Sequence, residues 1–149
     1  QQSGSIVNMT STAGIMGGLG PHAYAAAKHA VIGITKNTAT ELAHHGIRVN
    51  AIAPTGMATA MVAGLSGDPS DIDGTIARLA ATSPLKGRAG MASDVANAAL
   101  WLASDESGYT TGHTLTTDAG TTIGATTNAP NFVEYTPLIR EAGKRGIDD

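Results

Sequence analysis

The chain has 149 residues, of which 42% are hydrophobic and 14% are charged, and its formal net charge at pH 7 is −3. This composition is typical of a globular domain with an apolar core and excludes a disordered segment. Because the charges form no basic cluster, we expect neither nucleic acid nor a membrane surface as a partner. The chain contains no cysteine and no apolar run of about 18 residues, so we expect no disulfide framework and no membrane span, and we predict a cytoplasmic location.

A strand followed by a long helix is predicted near the beginning of the chain. Residues 4–9, GSIVNM, form a short apolar run that ends in a glycine-rich loop. From residue 23 to about residue 45, apolar side chains recur every three or four positions, as one face of an α-helix requires. The positions that carry this pattern are Ala27, Val31, Ile34 and Leu42, with Thr38 between them.

Tyr24 and Lys28 stand four positions apart at the start of the predicted helix, so their side chains share one face. A free tyrosine, with a pKa of about 10, exchanges protons poorly at neutral pH, and a fixed cation beside it stabilises the phenolate. The pair therefore suits general acid–base chemistry. The alternative is a surface pair on a solvated helix face, since this spacing arises by chance in roughly one chain in ten of this composition.

Ser11 lies thirteen residues before Tyr24, where the predicted strand gives way to the loop. A hydroxyl in that position occupies the edge at which open α/β sheets bind ligands. The alternative is a turn-forming serine between Thr10 and Thr12. The presence of Tyr24 and Lys28 downstream favours a role in the site.

The chain resembles the carboxyl-terminal half of a classical short-chain dehydrogenase/reductase. The segments that carry the resemblance, over residues 4 to about 120, are the strand with Ser11, then AYAAAK, ELAHHGIRVNAIAP and GRAGMASDVANAALWLASDESGYTTGHTLTTDAG. The resemblance implies an α/β fold with a Rossmann-type doubly wound parallel sheet, of which residues 1–120 supply about half. It also implies an NAD or NADP cofactor, and an N-terminal half, absent from this sequence, that carries the phosphate-binding glycine turn.

The resemblance also implies roles for individual residues. Ser11 would bind the substrate oxygen, Tyr24 would exchange a proton with it, and Lys28 would hold the nicotinamide ribose and lower the pKa of the tyrosine. Further cofactor contacts are implied at Pro54, Met57 and Thr59. The family has glycine where this chain has Thr55, which leaves the local backbone an open question, and the alternative role for Thr59 is that of a helix N-cap.

Residues 57–82 are predicted to form one or two short helices, which the resemblance identifies as a lid over substrate and nicotinamide. The apolar side chains of this segment favour an uncharged, moderately hydrophobic alcohol or ketone, and Ile15, Met16 and Leu19 are candidate walls of the same pocket. The alternative is a surface excursion whose apolar residues face the core. No grouping of side chains has metal-ligand spacing, so we expect no metal.

The last part of the predicted domain is a helix capped by Ser93, with Trp101 as a packing residue, and a strand over residues 113–117. The strand ends in Asp118-Ala119-Gly120, a minor departure from the Asp-Gly-Gly typical of the family. Residues 121–149 are interpreted as a tail that could reach a neighbouring subunit.

The leading functional hypothesis is an NAD(P)-dependent oxidoreductase that interconverts a secondary alcohol and a ketone by hydride transfer. The alternative is a non-catalytic domain that uses the same half-sheet for binding or oligomerisation. Small residues on the long helix, Ala25, Ala26, Ala30 and Gly33, would allow close helix packing. Because members of the family commonly pair through this helix, we expect a homodimer or a homotetramer. The alternative is that the small-residue face packs inside the monomer.

Overall fold

The computed structural model describes residues 2–128. In chain order the main elements are β1 (Gly4–Met9), α1 (His22–Leu42), β2 (Ile47–Pro54), α2 (Ala60–Gly64), α3 (Ile72–Thr82), α4 (Ala92–Ala103) and β3 (Thr114–Thr117). Short 3-10 turns occupy Thr12–Gly14, Ala43–His45, Asp105–Ser107 and Thr121–Ile123. Residues 129–149, which form most of the segment interpreted as a tail, lie outside the described residues.

The three strands form one parallel sheet in the order β1-β2-β3. Gly4 pairs with Ile47 at one end of the first ladder, and Ala51 pairs with Thr114 in the second. Since parallel strands need crossover connections, α1 joins β1 to β2, and a longer excursion ending in α4 joins β2 to β3. The predicted Rossmann-type half-sheet is confirmed. In the described part of the chain no helix has the length and hydropathy needed to span a bilayer.

The central strand β2 forms the core of the molecule. Its residues 49–53 are buried without a break, as expected for a strand that has a neighbour on each side and helices over its faces. The one polar member of this run, Asn50, is satisfied: its amide nitrogen donates to Thr110 O at 2.8 Å, and its carbonyl accepts from His113 N–H at 3.0 Å. Burial of a polar amide at this position is therefore compensated by hydrogen bonds.

The long helix α1 has the predicted extent but a different buried face. Its buried residues are Thr35 and Ala39, whereas Ile34, predicted to face the core, is 60% exposed. The reason is that the hydroxyl of Thr35 is satisfied inside the fold, by donating to Val31 O and accepting from Asn8 Nδ2. Small side chains bring the helix close to β2, and a larger apolar face is left outside.

Helix α4 departs from the sequence prediction at its amino end. It begins after Met91, whose N–H donates to the Asp94 carboxylate at 2.8 Å, so the predicted cap at Ser93 is wrong. Near the other end Leu102 is fully buried, and Trp101, predicted to pack, is 38% exposed, so most of its surface is covered.

Arg48 joins the amino end of β2 to the carboxyl end of α4. Its guanidinium donates to Leu102 O at 3.0 Å, to Ser104 O at 2.9 Å and to Ser107 Oγ at 2.9 Å. The last carbonyls of a helix lack partners within the helix and carry partial negative charge. A cation with five donors therefore suits this position, and it fixes α4 against the sheet.

The turn after β3 contains a strained residue. Among residues 2–128, Ala119 is the one non-glycine residue with a positive φ, at 54°. A side chain in this left-handed conformation costs roughly 1–2 kcal/mol, a penalty that glycine does not have. The replacement of the family's glycine by alanine is thus more than the minor departure that the sequence indicated.

The turn that follows is organised by Asp118, which is almost fully buried. Its carboxylate accepts from Thr122 Oγ1 at 2.6 Å, Thr122 N–H at 2.8 Å and Gly120 N–H at 2.9 Å. Burial by itself would raise the pKa of this carboxyl, but these donors stabilise the ionised form more strongly. The pKa of Asp118 is therefore held below its ordinary value of 3.8.

We expect Ala119→Gly to raise the free energy of unfolding by about 1 kcal/mol, because glycine adopts the left-handed conformation without strain. The measurement is the urea midpoint of the purified protein, with Ala96→Gly on the exposed side of α4 as the matched control. That control should lose about 0.5–1 kcal/mol, since glycine weakens a helix. If the two variants lost stability equally, no strain would reside at Ala119.

We expect Asp118→Asn to lower stability at pH 7 by about 1–3 kcal/mol, because an amide nitrogen would face two donors of the turn. A lowered pKa in the folded state stabilises the protein above about pH 3.8, and this contribution is lost as the pH falls through the folded value. The difference between wild type and variant should therefore shrink on acidification, as followed by urea unfolding at pH 7, 5 and 3. Glu106→Gln on an exposed turn is the control, and a difference that stayed constant with pH would contradict the assignment.

Candidate active site

Ser11 follows the carboxyl end of β1. Thr10 N–H extends the ladder by donating to Ile52 O at 2.8 Å, and Ser11 then caps the 3-10 turn, its Oγ accepting from Ala13 N–H at 3.2 Å. The turn-forming role considered as an alternative is therefore present. It engages a lone pair of the hydroxyl and leaves its hydrogen available as a donor to a ligand at the sheet edge.

Tyr24 and Lys28 lie in the first two turns of α1, and the structure brings them together. The Nζ of Lys28 is 5.5 Å from the centroid of the Tyr24 ring, within the range of a cation–π contact. The same ammonium donates to Met9 O at 3.2 Å, at the last residue of β1. Lys28 thus links the tyrosine to the end of β1, two residues before Ser11.

The loop between Ser11 and Tyr24 passes close to the tyrosine ring. A Cβ added to Gly20 would lie 2.9 Å from Cδ1 of Tyr24, so this position admits no side chain while the ring keeps its place. The remainder of the loop is apolar: Ile15, Met16 and Leu19 are 39–43% exposed, and residues 11–20 include no charged side chain. Three large apolar side chains are therefore partly exposed in the loop between Ser11 and Tyr24.

Two residues at this junction were missed by the sequence analysis. The Oγ1 of Thr10, a residue that is only 3% exposed, donates to Lys28 O at 2.7 Å. A Cβ on Gly14 would approach the same carbonyl oxygen to 2.6 Å. Both contacts join residues far apart in the chain, so no spacing or periodicity could indicate them. The only signal in the sequence was the presence of a threonine directly before Ser11 and a glycine three residues after it.

The segment after β2 carries the other predicted site residues. Pro54 is the last residue of β2, and Thr55 continues the pairing by donating its N–H to Thr117 O at 3.2 Å. Thr55 has no positive φ, so the exchange of glycine for threonine causes no strain here. Met57 is buried, and the adjacent Ala58 N–H donates to Gly90 O at 2.8 Å.

Thr59 caps α2, which is the alternative role that the sequence allowed. Its Oγ1 accepts from Val62 N–H at 3.5 Å and donates to Met57 O at 3.3 Å. One lone pair of this hydroxyl remains free to accept a hydrogen bond from a ligand.

A cleft of about 270 Å³ opens where β2 and β3 end. Its walls come from residues 55–57, 82–85, 88–90 and 117–119, together with Leu79, Asp94 and Thr121. Of the predicted site residues only Met57 lines it; Ser11, Tyr24 and Lys28 lie instead at the junction of β1 and α1. Since parallel neighbouring strands are about 4.8 Å apart, the two groups share one edge of the sheet at adjacent strand ends.

Comparison with a family model supports the resemblance to the short-chain dehydrogenases/reductases. A model described as Enoyl-(Acyl carrier protein) reductase matches residues 1–122. Xanthoxin dehydrogenase of Arabidopsis thaliana is 44% identical, over 82% of this chain and 44% of its own length.

Solved structures of dehydrogenases and reductases are similar to this chain in both fold and sequence. Levodione reductase has a TM-score of 0.70 and 34% identity, over 83% of this chain and 48% of its own. A structure from Agrobacterium tumefaciens with bound NADP has a TM-score of 0.64 and 39% identity, over 79% of this chain and 46% of its own. The chain spans 43–49% of the lengths of the curated relatives that it matches.

Proposed function

The chain belongs to the short-chain dehydrogenase/reductase family, and we propose that it is the catalytic half of an NAD(P)-dependent oxidoreductase. The proposed reaction interconverts a secondary alcohol and a ketone by hydride transfer. The observation that carries the proposal is the contact of the Lys28 ammonium with the Tyr24 ring, one helical turn apart, beside the turn that Ser11 begins. A relative with bound NADP supports the choice of cofactor.

The residues at the sheet edge fit a nicotinamide nucleotide. A lysine ammonium has three donors, and among the described residues Lys28 Nζ directs one of them to Met9 O. Two donors are therefore free for the ribose hydroxyls. When bound, the cofactor supplies or accepts the hydride, and the protein contributes position and electrostatics.

The chemistry assigned to the chain is proton transfer and orientation. Ser11 donates its free hydrogen to the substrate oxygen and holds it beside the Tyr24 phenol. Tyr24 gives a proton to that oxygen in reduction and takes one in oxidation. Lys28 places positive charge next to the ring, which favours the phenolate when the proton leaves.

We further propose that Pro54, Met57 and Thr59 lie along the nicotinamide. The burial of Met57 and the backbone bonds around it give this segment a defined course, and Thr59 can accept one hydrogen bond beyond those it makes in capping α2. A preformed wall of this kind costs little conformational entropy on binding.

Residues 57–82 are proposed to act as a lid. They hold α2 and α3, which contact each other. Most of the surface is exposed at Met61 in α2 and at Leu65, the residue that follows α2. Closure of such an apolar element over the site would exclude water during hydride transfer. Together with Ile15, Met16 and Leu19, these side chains favour an uncharged, hydrophobic substrate.

The complete enzyme is proposed to include an N-terminal half. Among residues 2–128, β1 pairs with β2 alone, so its other edge is free, and Ile6 and Met9 are exposed. An open edge with apolar neighbours is a surface that proteins normally cover. Added strands at this edge would also bring the phosphate-binding glycine turn. The exposed small residues Ala26, Ala30 and Gly33 on α1 support pairing of subunits through this helix, in a homodimer or homotetramer. The cytoplasmic location remains a prediction from composition.

In the complete protein, Tyr24→Phe should lower kcat for alcohol oxidation by about 10²–10⁴-fold, because the variant keeps the ring and loses the exchangeable proton. The measurement is NADH or NADPH formation, followed by absorbance, with a panel of uncharged secondary alcohols. Tyr109→Phe is the matched control, since Tyr109 is fully exposed, and it should equal wild type. Equal turnover by wild type and Tyr24→Phe would instead support a non-catalytic binding or oligomerisation domain.

Met16→Glu should reduce kcat/KM for apolar ketones by about tenfold, because a charged group in an apolar wall must lose its hydration when the substrate binds. The same steady-state assay, run with ketones of increasing apolar surface, should show a loss that grows with substrate size. Lys86→Gln on an exposed loop changes the net charge by the same single unit and serves as the control. A loss independent of substrate size would remove Met16 from the pocket.

A further inference from the structure

The carbonyl of Lys28 is the point at which the loop carrying Ser11 meets the helix carrying Tyr24. As an interior residue of α1, Lys28 already has a helical partner for this carbonyl, the N–H four residues on. The Oγ1 of Thr10 adds a second hydrogen bond to it, at 2.7 Å. In the opposite direction the Lys28 ammonium donates to Met9 O at 3.2 Å. Two crossed bonds therefore hold residues 9–10 against one turn of α1.

Gly14 completes this contact from the other end of the turn. A Cβ at Gly14 would lie 2.6 Å from Lys28 O and 2.7 Å from Thr10 Oγ1, so the backbone of the turn rests directly on the bonded pair. Ser11 lies between Thr10 and Gly14 in the chain. Its position relative to α1 is thus determined on both sides by contacts to the same carbonyl.

We propose that Thr10 is a positioning residue for the reaction: its hydroxyl, bonded to the Lys28 carbonyl, sets the distance between Ser11 and Tyr24. This inference rests on the proposed function. Ser11 and Tyr24 must reach the same substrate oxygen, and a displacement of about 1 Å between such groups can cost about 10²-fold in rate. Thr10 touches neither substrate nor cofactor in this role and acts through the residue next to it.

The fold itself does not require the hydroxyl. Valine has the shape of threonine, and the Lys28 carbonyl keeps its helical partner when the hydroxyl is removed. A purely structural role would therefore change stability and leave the rate at low temperature unaltered. A positioning role changes the rate of the chemical step and is restored by any side chain that returns the hydroxyl.

The test compares Thr10→Val with Thr10→Ser in the complete protein, assayed for NAD(P)-dependent turnover at 15 °C below the melting temperature of the weaker variant. We expect Thr10→Val to lower kcat at least tenfold with KM and the Kd for NADH within threefold of wild type. Thr10→Ser should recover kcat to within threefold. Thr40→Val is the matched control, because Thr40 Oγ1 also bonds a carbonyl of α1, that of Lys36, without joining two elements, and kcat should not change.

A second pair of variants tests the geometry by another route. Gly14→Ala should separate the turn from α1 and lower kcat at least tenfold, whereas Gly17→Ala, where a Cβ meets nothing within 4 Å, should leave kcat unchanged. Amide hydrogen exchange gives a readout that is independent of activity. In Thr10→Val the Ala13 and Gly14 amides, which bond to Ser11, should exchange at least tenfold faster.

The possible outcomes separate this inference from the proposed function. If wild type turns over and Thr10→Val matches it in kcat and in exchange, the positioning role is overturned while the oxidoreductase stands. If Thr10→Val and Thr10→Ser lose kcat equally, the hydroxyl is not the cause and the inference also fails. If wild type neither binds NADH nor turns over, the proposed function fails and takes the positioning role with it.

Discussion

The site depends on the crossed hydrogen bonds between β1 and α1. The Lys28 ammonium donates to Met9 O, and the Lys28 carbonyl accepts from the Thr10 hydroxyl, so a single residue of the helix binds the strand end through both its side chain and its backbone. A helix and a strand that are connected by a long loop could otherwise pack at a range of depths. Here the two hydrogen bonds of Lys28 determine how the helix packs against the strand end, and they thereby determine the relative position of Ser11 and Tyr24. The glycines of the loop serve the same end, since Gly14 admits the helix carbonyl and Gly20 admits the tyrosine ring.

The chemistry is divided between adjacent strand ends. The proposed proton-transferring groups follow β1, the proposed nicotinamide wall follows β2, and the parallel register brings both to one edge of the sheet. Some polar groups around that edge already have structural partners: Thr59 caps a helix, and the Asp118 carboxylate organises the turn after β3. The buried Thr117 Oγ1, at the end of β3, has no hydrogen-bond partner among the described residues. Groups at this edge that keep free hydrogen-bonding capacity include the hydrogen of Ser11, two donors of Lys28, a lone pair of Thr59 and the phenol of Tyr24.

Much of this arrangement could be predicted because it is local. The bounds of β1 and α1 and the proximity of Tyr24 to Lys28 follow from periodicity and from the pitch of a helix, which depend on residues close in sequence. The parallel half-sheet was implied by the resemblance to a known family. The errors have an equally physical origin. Ile34 lies outside and Thr35 inside, where its hydroxyl accepts a hydrogen bond from Asn8 of β1, a residue distant in sequence. At Ala119 the sequence showed an exchange of one small residue for another, and only the backbone torsion revealed the strain.

The sequence by itself determined the chemical groups and their order: a hydroxyl after a strand, then a phenol and an ammonium one helical turn apart. Spacing along a helix is a property of the chain, so it is readable without a fold. The tertiary structure alone decided how the two parts meet, through Thr10 and Gly14 at the Lys28 carbonyl, and that Met57 rather than Thr59 lines the cleft after β2. Contacts of this kind depend on the packing of elements distant in sequence, where close approach and the need to satisfy each buried polar group choose among many alternatives that the sequence leaves open.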